Sequence, residues 1–167
     1  LDALIDALRL SGIKVIETGD DLKVTAADRV LATDISTDPF PGFPTDLQAQ
    51  FMAMMCVADG SSRISETIFE NRFMHVPELV RMGADISVDS GVAFVRGRCQ
   101  LTPAQVMATD LRASVSLVLA ALATEGQSEV SRIYHLDRGY SNLEDKLGKC
   151  GARLERISDC GNDDKIS

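Results

Sequence analysis

The sequence contains no tryptophan, and aromatic residues make up only 5% of its 167 positions. This scarcity argues against a surface on which nucleic-acid bases stack. Basic side chains are also few, with 17 lysines and arginines against 25 aspartates and glutamates, so the formal net charge at pH 7 is −8. Such an acidic chain disfavours binding to a phosphate backbone. We therefore expect no nucleic acid among the partners of this protein.

A long apolar segment is also missing from the chain. The longest apolar run, 115–123, is far shorter than the roughly 20 residues that are needed to cross a bilayer. No basic and then apolar leader opens the sequence. The protein is therefore predicted to have no membrane partner and to be cytoplasmic.

The residue patterns that hold metals and nucleotide cofactors are absent from the sequence. None of the four cysteines belongs to a C-x-x-C pair or has a histidine at metal-ligand spacing. Glycine-rich phosphate loops of the Walker or dinucleotide type are missing as well. We therefore predict no metal site and no disulfide.

Two stretches of the sequence have the pattern of a helix start followed by a buried helix. Thr45 and Asp46 are typical helix-capping residues, and 47–57 is almost uninterruptedly apolar. The same pattern returns at Thr109 and Asp110, again before an apolar segment. Because a helix that is apolar on nearly every side is buried, both helices are predicted at the centre of the domain. Their positive N-terminal ends would then lie at one end of the domain, where they suit an anionic ligand.

The remaining segments indicate an internal repeat of helix and strands. Helical spacing ends at Gly12, Gly83 and Gly151, which are 71 and 68 residues apart, and strand-like segments follow each glycine. This period suits a compact α/β subdomain. Because no strand precedes the first helix, we expect the chain to begin partway through a unit. We predict one α/β domain over 1–158, made of a partial first repeat (1–41), a second (42–105) and a third (106–158), and a polar, frayed tail over 159–167.

Four ungapped motifs resemble the C-terminal part of the UDP-N-acetylglucosamine enolpyruvyl transferases (1-carboxyvinyltransferases), which begin bacterial peptidoglycan synthesis. The motifs are FPTDLQAQF (43–51), ETIFENRF (66–73), ATDLRAS (108–114) and DRGY (137–140). The resemblance extends to about residue 158. It implies an inside-out α/β barrel domain, built of repeated subdomains with buried helices and mixed sheets on the surface.

The resemblance also implies an activity and its partners. Enzymes of this family move the enolpyruvyl group of phosphoenolpyruvate to the 3-hydroxyl of UDP-N-acetylglucosamine and release phosphate. The resemblance thus implies that no metal or organic cofactor takes part. Their site lies between two domains, and the reactive loop cysteine belongs to segments that this sequence does not match. The missing N-terminal domain is thus an expected partner, and the chain alone is expected to be inactive. The alternative is a non-catalytic domain that holds an anionic sugar or a partner protein on the same scaffold.

Three residues are candidates for catalysis. Asp46 ranks first, because an attacking hydroxyl needs a carboxylate to accept its proton, although a plain helix cap is the alternative interpretation. The resemblance places Asp110 near the reacting carbon or in the conformational change, and for this residue capping is an equally open interpretation. By the same resemblance, Arg138 pairs with phosphoenolpyruvate. Guanidinium groups hold carboxylates and phosphates through two parallel hydrogen bonds. The alternative interpretation of each arginine is a solvated or salt-bridged surface residue.

A wider set of residues is implied in substrate binding by the same motifs. These residues are Asp46, Ile68, Phe69, Arg72, Leu111, Arg112 and Arg138. Ile68 stands where the family more often has valine. His75 and His135 have no neighbouring nucleophile motif, so both are interpreted as packing or surface residues.

Overall fold

The computed structural model describes residues 1–158 and 164–166 of the chain. Its helices are α1 (Asp2–Leu10), α2 (Gln48–Val57), α3 (Val76–Arg81), α4 (Leu111–Leu122), α5 (Tyr134–Asp137) and α6 (Leu143–Lys149), with a 3-10 turn at Thr45–Leu47. Its strands are β1 (Lys14–Thr18), β2 (Asp21–Thr25), β3 (Ile35–Ser36), β4 (Ser61–Ser65), β5 (Asp85–Asp89), β6 (Val92–Arg96), β7 (Gln105–Met107), β8 (Glu129–Ser131), β9 (Arg156–Ser158) and β10 (Asp164–Ile166). Within these residues, none of the helices is long and apolar enough to span a membrane.

The strands form two four-stranded sheets and one hairpin. The sheet orders are β3-β4-β6-β5 and β7-β8-β10-β9, and β1 pairs with β2. In each four-stranded sheet the first two strands run parallel and the other pairs are antiparallel. Apart from the additional short helix α5, the same order of helices and strands builds both sheets. This agrees with the predicted fold of repeated α/β subdomains with mixed sheets.

Helices α2 and α4 pack against each other at the centre of the molecule. Met52 and Met55 of α2 and Leu117 of α4 are 0% exposed. Removing an apolar side chain of this size from water contributes about 1.5–3 kcal/mol. The prediction that these two helices are buried is confirmed, since their apolar residues leave no polar face to present to water.

Glycines end three of the helical segments, as the sequence indicated. Gly12, Gly83 and Gly151 have φ angles of 82°, 94° and 93°. A side chain strains this left-handed conformation, so glycine is the usual residue just beyond a helix. Each glycine directs the chain from a helix towards the strands that follow it.

The predicted tail differs from the structure at Asp164–Ile166. This segment is not frayed but forms β10, where Lys165 faces Ser131 on one side and Ile157 on the other. A strand between two others forms backbone hydrogen bonds on both edges, and its polar composition does not reveal those partners. The remaining tail positions, 159–163 and 167, lie outside the described residues.

Candidate functional site

The candidate site residues follow the carboxyl ends of the two pairs of parallel strands. The chain continues from β3 to Asp46, from β4 to Arg72, from β7 to Asp110 and from β8 to Arg138. Ligands of α/β sheets bind outside the carboxyl ends of parallel strands, where loops and helix N-termini meet. The topology therefore directs segments that are distant in sequence towards one end of the domain.

The carboxylate of Asp46 lies between two arginines. Its Oδ1 is 2.7 Å from Nη2 of Arg72 and 2.5 Å from Nε of Arg112. The Asp46 side chain is 52% exposed, while those of Arg72 and Arg112 are 23% and 45% exposed. Bonds between ionised partners are short and strong, although solvent weakens them at a half-exposed site. Three residues from three motifs thus form one charged cluster.

The interpretation of Asp46 as a helix cap is wrong. Helix α2 begins only at Gln48, with Leu47 in the cap position and no side-chain bond to the first turn. The 3-10 turn that starts after Pro44 separates Asp46 from that helix start. The Asp46 carboxylate is therefore free of a capping role and binds the guanidinium groups instead. Its neighbour Thr45 also does not cap, since its hydroxyl donates a hydrogen bond to Glu66.

Asp110, in contrast, caps α4. Its Oδ1 accepts hydrogen bonds from the backbone N–H groups of Arg112 and Ala113, both at 2.9 Å. The capping interpretation of Asp110 is confirmed, and such a cap stabilises a helix by about 1 kcal/mol. Because the Arg112 guanidinium contacts Asp46, Asp110 also holds the backbone of a residue in the charged cluster.

An exposed aromatic ring borders the cluster. The guanidinium carbon of Arg72 lies 4.8 Å from the centroid of the Phe69 ring, which is within the range of a cation–π contact. Phe69 is 50% exposed, and Ile68 beside it is half-buried. This side of the cluster thus offers an apolar surface next to positive charge.

Arg138 reaches the same region through its neighbours in the chain. A Cβ atom on Gly139 would lie 2.7 Å from Cδ1 of Leu111, so the backbone packs tightly against the first turn of α4. The Tyr140 hydroxyl accepts a hydrogen bond from Nε2 of Gln50 at 3.3 Å. The Arg138 side chain is exposed and forms no ion pair with residues in 1–158 or 164–166. The structure therefore brings the Arg138 segment to α2 and α4 but leaves its guanidinium free.

Arg156, which the sequence did not single out, fixes the residue that precedes Arg138. Its guanidinium donates hydrogen bonds to both Asp137 oxygens, at 2.9 and 2.7 Å, and to Glu144 at 2.8 Å. The hydrogen bond from Arg156 is the main cause that lowers the pKa of Asp137 below its ordinary value. A lone arginine in a strand carries no local signal of this role.

His75 is buried next to the charged cluster. Its ring is 0% exposed, and among the described residues neither nitrogen has a hydrogen-bond partner. Burial lowers the pKa of His75 to about 4, while the Asp110 charge opposes this change and the Arg72 charge adds to it. The ring is therefore neutral at pH 7, and the predicted packing role is confirmed.

Glu66, like Arg156, is a residue that the sequence did not single out. Its carboxylate is buried, with only 8% of the residue exposed, and accepts four hydrogen bonds. The one sequence signal was its place within the ETIFENRF motif, because an isolated glutamate is usually exposed. In the part of the chain that the structure describes, no group of three or more His, Cys, Asp or Glu residues is arranged to hold a metal ion.

Comparison with known sequences identifies relatives of the chain. Residues 1–147 match the family described as EPSP synthase (3-phosphoshikimate 1-carboxyvinyltransferase). The UDP-N-acetylglucosamine 1-carboxyvinyltransferase of Caulobacter vibrioides is 62% identical over 162 residues, which cover 96% of this chain and 38% of that protein. The protein of the same name from Dinoroseobacter shibae is 60% identical over 158 residues, covering 94% of this chain and 37% of that protein. The chain thus spans less than two fifths of the length of these curated relatives.

Solved structures share the fold. The enolpyruvyl transferase NikO from Streptomyces tendae superimposes with a TM-score of 0.84 at 32% identity, covering 92% of this chain and 36% of that chain. An EPSP synthase from Acinetobacter baumannii gives a TM-score of 0.65 at 16% identity, covering 98% of this chain and 38% of that chain, which shows a shared fold alone. The predicted enolpyruvyl transferase fold is confirmed. Because the family match extends over most of its length, the chain belongs to the EPSP synthase (3-phosphoshikimate 1-carboxyvinyltransferase) family.

Proposed function

We propose that this chain is part of an enzyme that moves the enolpyruvyl group of phosphoenolpyruvate to the 3-hydroxyl of UDP-N-acetylglucosamine and releases phosphate. Two relatives named UDP-N-acetylglucosamine 1-carboxyvinyltransferase are 62% and 60% identical to the chain, which supports this choice of substrates. The observation that carries the proposal is the pairing of Asp46 with Arg72 and Arg112 beside the exposed Phe69 ring. This cluster offers a proton acceptor, anion-binding groups and an apolar surface within one site.

In this proposal Asp46 accepts the proton of the sugar hydroxyl. The sugar oxygen forms a bond to the carbon that carries the phosphate, and the bond from that carbon to the phosphate oxygen breaks. The hydroxyl proton must leave as its oxygen attacks. Both arginine contacts of Asp46 fall on Oδ1, and no hydrogen bond reaches Oδ2 from the described residues. Oδ2 is therefore the atom that receives the proton.

Three arginines supply positive charge for the anionic substrates. Phosphoenolpyruvate carries a carboxylate and a phosphate, and the sugar nucleotide carries a diphosphate. Arg138, whose exposed guanidinium has no ion pair among the described residues, binds phosphoenolpyruvate in this proposal. Arg72 and Arg112 exchange Asp46 Oδ1 for a substrate anion when the site fills.

The sugar nucleotide is proposed to contact Ile68, Phe69 and Leu111. The N–H groups of Ile68 and Phe69 already donate to Glu66, at 3.0 and 3.1 Å, so these residues meet the substrate through side chains and carbonyl oxygens. Leu111 is half-buried at the start of α4, beside the Gly139 backbone. Asp110 contributes by holding the backbone of Arg112 in the first turn of that helix.

The exposed cluster also requires a cover, because catalysis by desolvated charges needs water to be excluded. We propose that a second domain of the same enzyme, N-terminal to this chain, closes over Asp46 and Arg138. The enzyme acts in the cytoplasm, in peptidoglycan synthesis and so in cell shape and division. It requires no metal or organic cofactor for this transfer.

Phosphate release by the complete polypeptide tests the proposal. We expect phosphate release only when phosphoenolpyruvate and UDP-N-acetylglucosamine are both present. Replacing Asp46 with alanine should lower kcat by about 100-fold or more, with a much smaller change in sugar-nucleotide Kd, whereas the exposed Asp28→Ala control should behave as wild type. Equal kcat in wild type and Asp46→Ala would contradict the assigned role. Sugar-nucleotide binding without any phosphate release by the wild type would instead support a non-catalytic binding domain.

A further inference from the structure

The buried carboxylate of Glu66 joins segments on both sides of the charged cluster. Its Oε1 accepts hydrogen bonds from the Thr37 hydroxyl at 3.0 Å and from the backbone N–H groups of Ile68 and Phe69 at 3.0 and 3.1 Å. Its Oε2 accepts a hydrogen bond from the Thr45 hydroxyl at 3.0 Å. Burying a carboxylate is costly unless donors replace its water, and here four neutral donors do so.

These donors lie directly beside the residues of the proposed site. Thr45 immediately precedes Asp46, and Phe69 packs on the guanidinium of Arg72. A single carboxylate therefore ties together the two chain segments whose side chains form the Asp46–Arg72 ion pair. Because both segments are loops or short turns, their separation is not set by backbone pairing within one element.

Glu66 is itself held by the sheet. Its N–H donates to the Gly91 carbonyl at 2.8 Å, directly beyond the end of β4, and the Thr37 N–H donates to the Ser65 carbonyl at 2.9 Å. The carboxylate thus links the sheet to the loop segments at its edge. The equivalent residue of the third repeat, Arg132, 66 positions later, is exposed and has a φ of 58°, so the third repeat does not repeat this arrangement.

We propose that Glu66 is a positioning residue for the transferase site, setting the distance between Asp46 and the Phe69–Arg72 surface. This inference rests on the proposed function. Glu66 contacts neither substrate and acts through Thr45, Ile68 and Phe69. Since the proposed function places Ile68 and Phe69 against the sugar nucleotide and Arg138 against phosphoenolpyruvate, the loss of Glu66 should affect the two substrates unequally.

Steady-state kinetics of the complete enzyme test this role. We expect Glu66→Ala to raise the KM for UDP-N-acetylglucosamine about tenfold or more and to lower kcat, with the phosphoenolpyruvate KM within about twofold of wild type. Glu66→Gln keeps a carbonyl oxygen for the two backbone donors, so it should retain more activity than Glu66→Ala. A lower amount of folded enzyme would reduce the apparent kcat alone and would leave both KM values unchanged.

Glu78 provides the matched control. It is equally buried, at 8% exposed, but its carboxylate accepts a hydrogen bond from the Met107 N–H and pairs with Arg81, neither of which belongs to the charged cluster. Glu78→Gln should leave both KM values unchanged.

If Glu66→Ala folds poorly, Glu66→Gln and Thr45→Val still test the role, because each weakens the contacts without removing the whole side chain. A sugar-nucleotide KM within twofold of wild type in all Glu66 and Thr45 variants, or an equal rise in both KM values, would overturn it.

Amide hydrogen exchange in the full chain gives a readout that is independent of turnover. The Ile68 and Phe69 amides should exchange faster in Glu66→Ala than in wild type, and not in Glu78→Gln. Unchanged exchange at both amides would overturn the positioning role even if the kinetics changed. A wild-type enzyme that releases no phosphate would overturn the proposed function and this role together, whereas normal wild-type turnover with unaltered Glu66 variants would overturn this role alone.

Discussion

The buried ring of His75 makes the stability of this protein depend on pH. The pKa of His75 is lowered from an ordinary value of 6.5 to about 4, chiefly because burial penalises the charged ring. The unfolded chain therefore binds this proton more readily than the folded chain. By linkage, the contribution of His75 to stability is fully present above pH 6.5 and is lost progressively as the pH falls from 6.5 to 4. Below pH 4 the loss stops growing.

The size of this effect follows from the two pKa values. The difference between 6.5 and about 4 corresponds to about 3 kcal/mol of unfolding free energy. The neighbouring charges oppose each other, since Asp110 favours the protonated ring and Arg72 disfavours it. A loss of this size is a large part of the 5–15 kcal/mol that typically stabilises a domain. Denaturation measurements are accurate enough to detect it.

Urea denaturation of the full chain at several pH values measures the effect. His75→Leu removes the titrating group while keeping a buried side chain of similar size. Because the carboxylates titrate in both proteins, the difference between wild type and variant isolates His75. We expect wild type to lose about 3 kcal/mol more than His75→Leu between pH 7 and pH 4. His135→Leu is the matched control, because it replaces the other, half-buried histidine, whose ring lies 4.2 Å from that of Tyr134, and leaves His75 in place.

An NMR titration decides the cause directly. The chain has two histidines, so the two imidazole signals can be assigned by comparing the variants. A His75 pKa near 6.5, or a stability difference between wild type and His75→Leu that stays constant from pH 7 to pH 4, would refute the burial argument.

Two further predictions follow from the helices at the centre of the molecule. Asp110→Ala removes two cap hydrogen bonds from α4 and should lower the unfolding free energy by about 1 kcal/mol, measured by urea denaturation; unchanged stability would show that the cap contributes nothing. Burial raises the pKa of the Cys56 thiol to about 12, so iodoacetamide at pH 8 should alkylate the exposed Cys150 and spare Cys56. Peptide mass spectrometry measures both sites, and equal alkylation of the two cysteines in the folded protein would contradict the burial of Cys56.

Much of the fold could be predicted from the sequence, because the burial and the ends of a helix depend on residues that are close together in the chain. The apolar run over 47–57 predicts a buried helix, since a helix without a polar face must pack on all sides. The glycines at positions 12, 83 and 151 mark helix ends because they tolerate positive φ, and their spacing indicated the repeat. Strand ends are less evident from the sequence: the residue pattern over 63–69 suits one continuous strand, whereas β4 is Ser61–Ser65. Beyond Ser65 the backbone N–H groups of Ile68 and Phe69 donate hydrogen bonds to the Glu66 carboxylate instead of to a neighbouring strand.

The buried helices, the repeated α/β units and, through four motifs, the family could all be derived from the sequence. The arginine partners of Asp46, the hydrogen bonds of Glu66 to the loops around it and the place of β10 in a sheet became evident only in the folded chain. These features depend on contacts between residues that are far apart in the sequence. Asp46 and Arg72 are 26 positions apart, and no local pattern records which loop the packing of sheets and helices will bring to a given carboxylate.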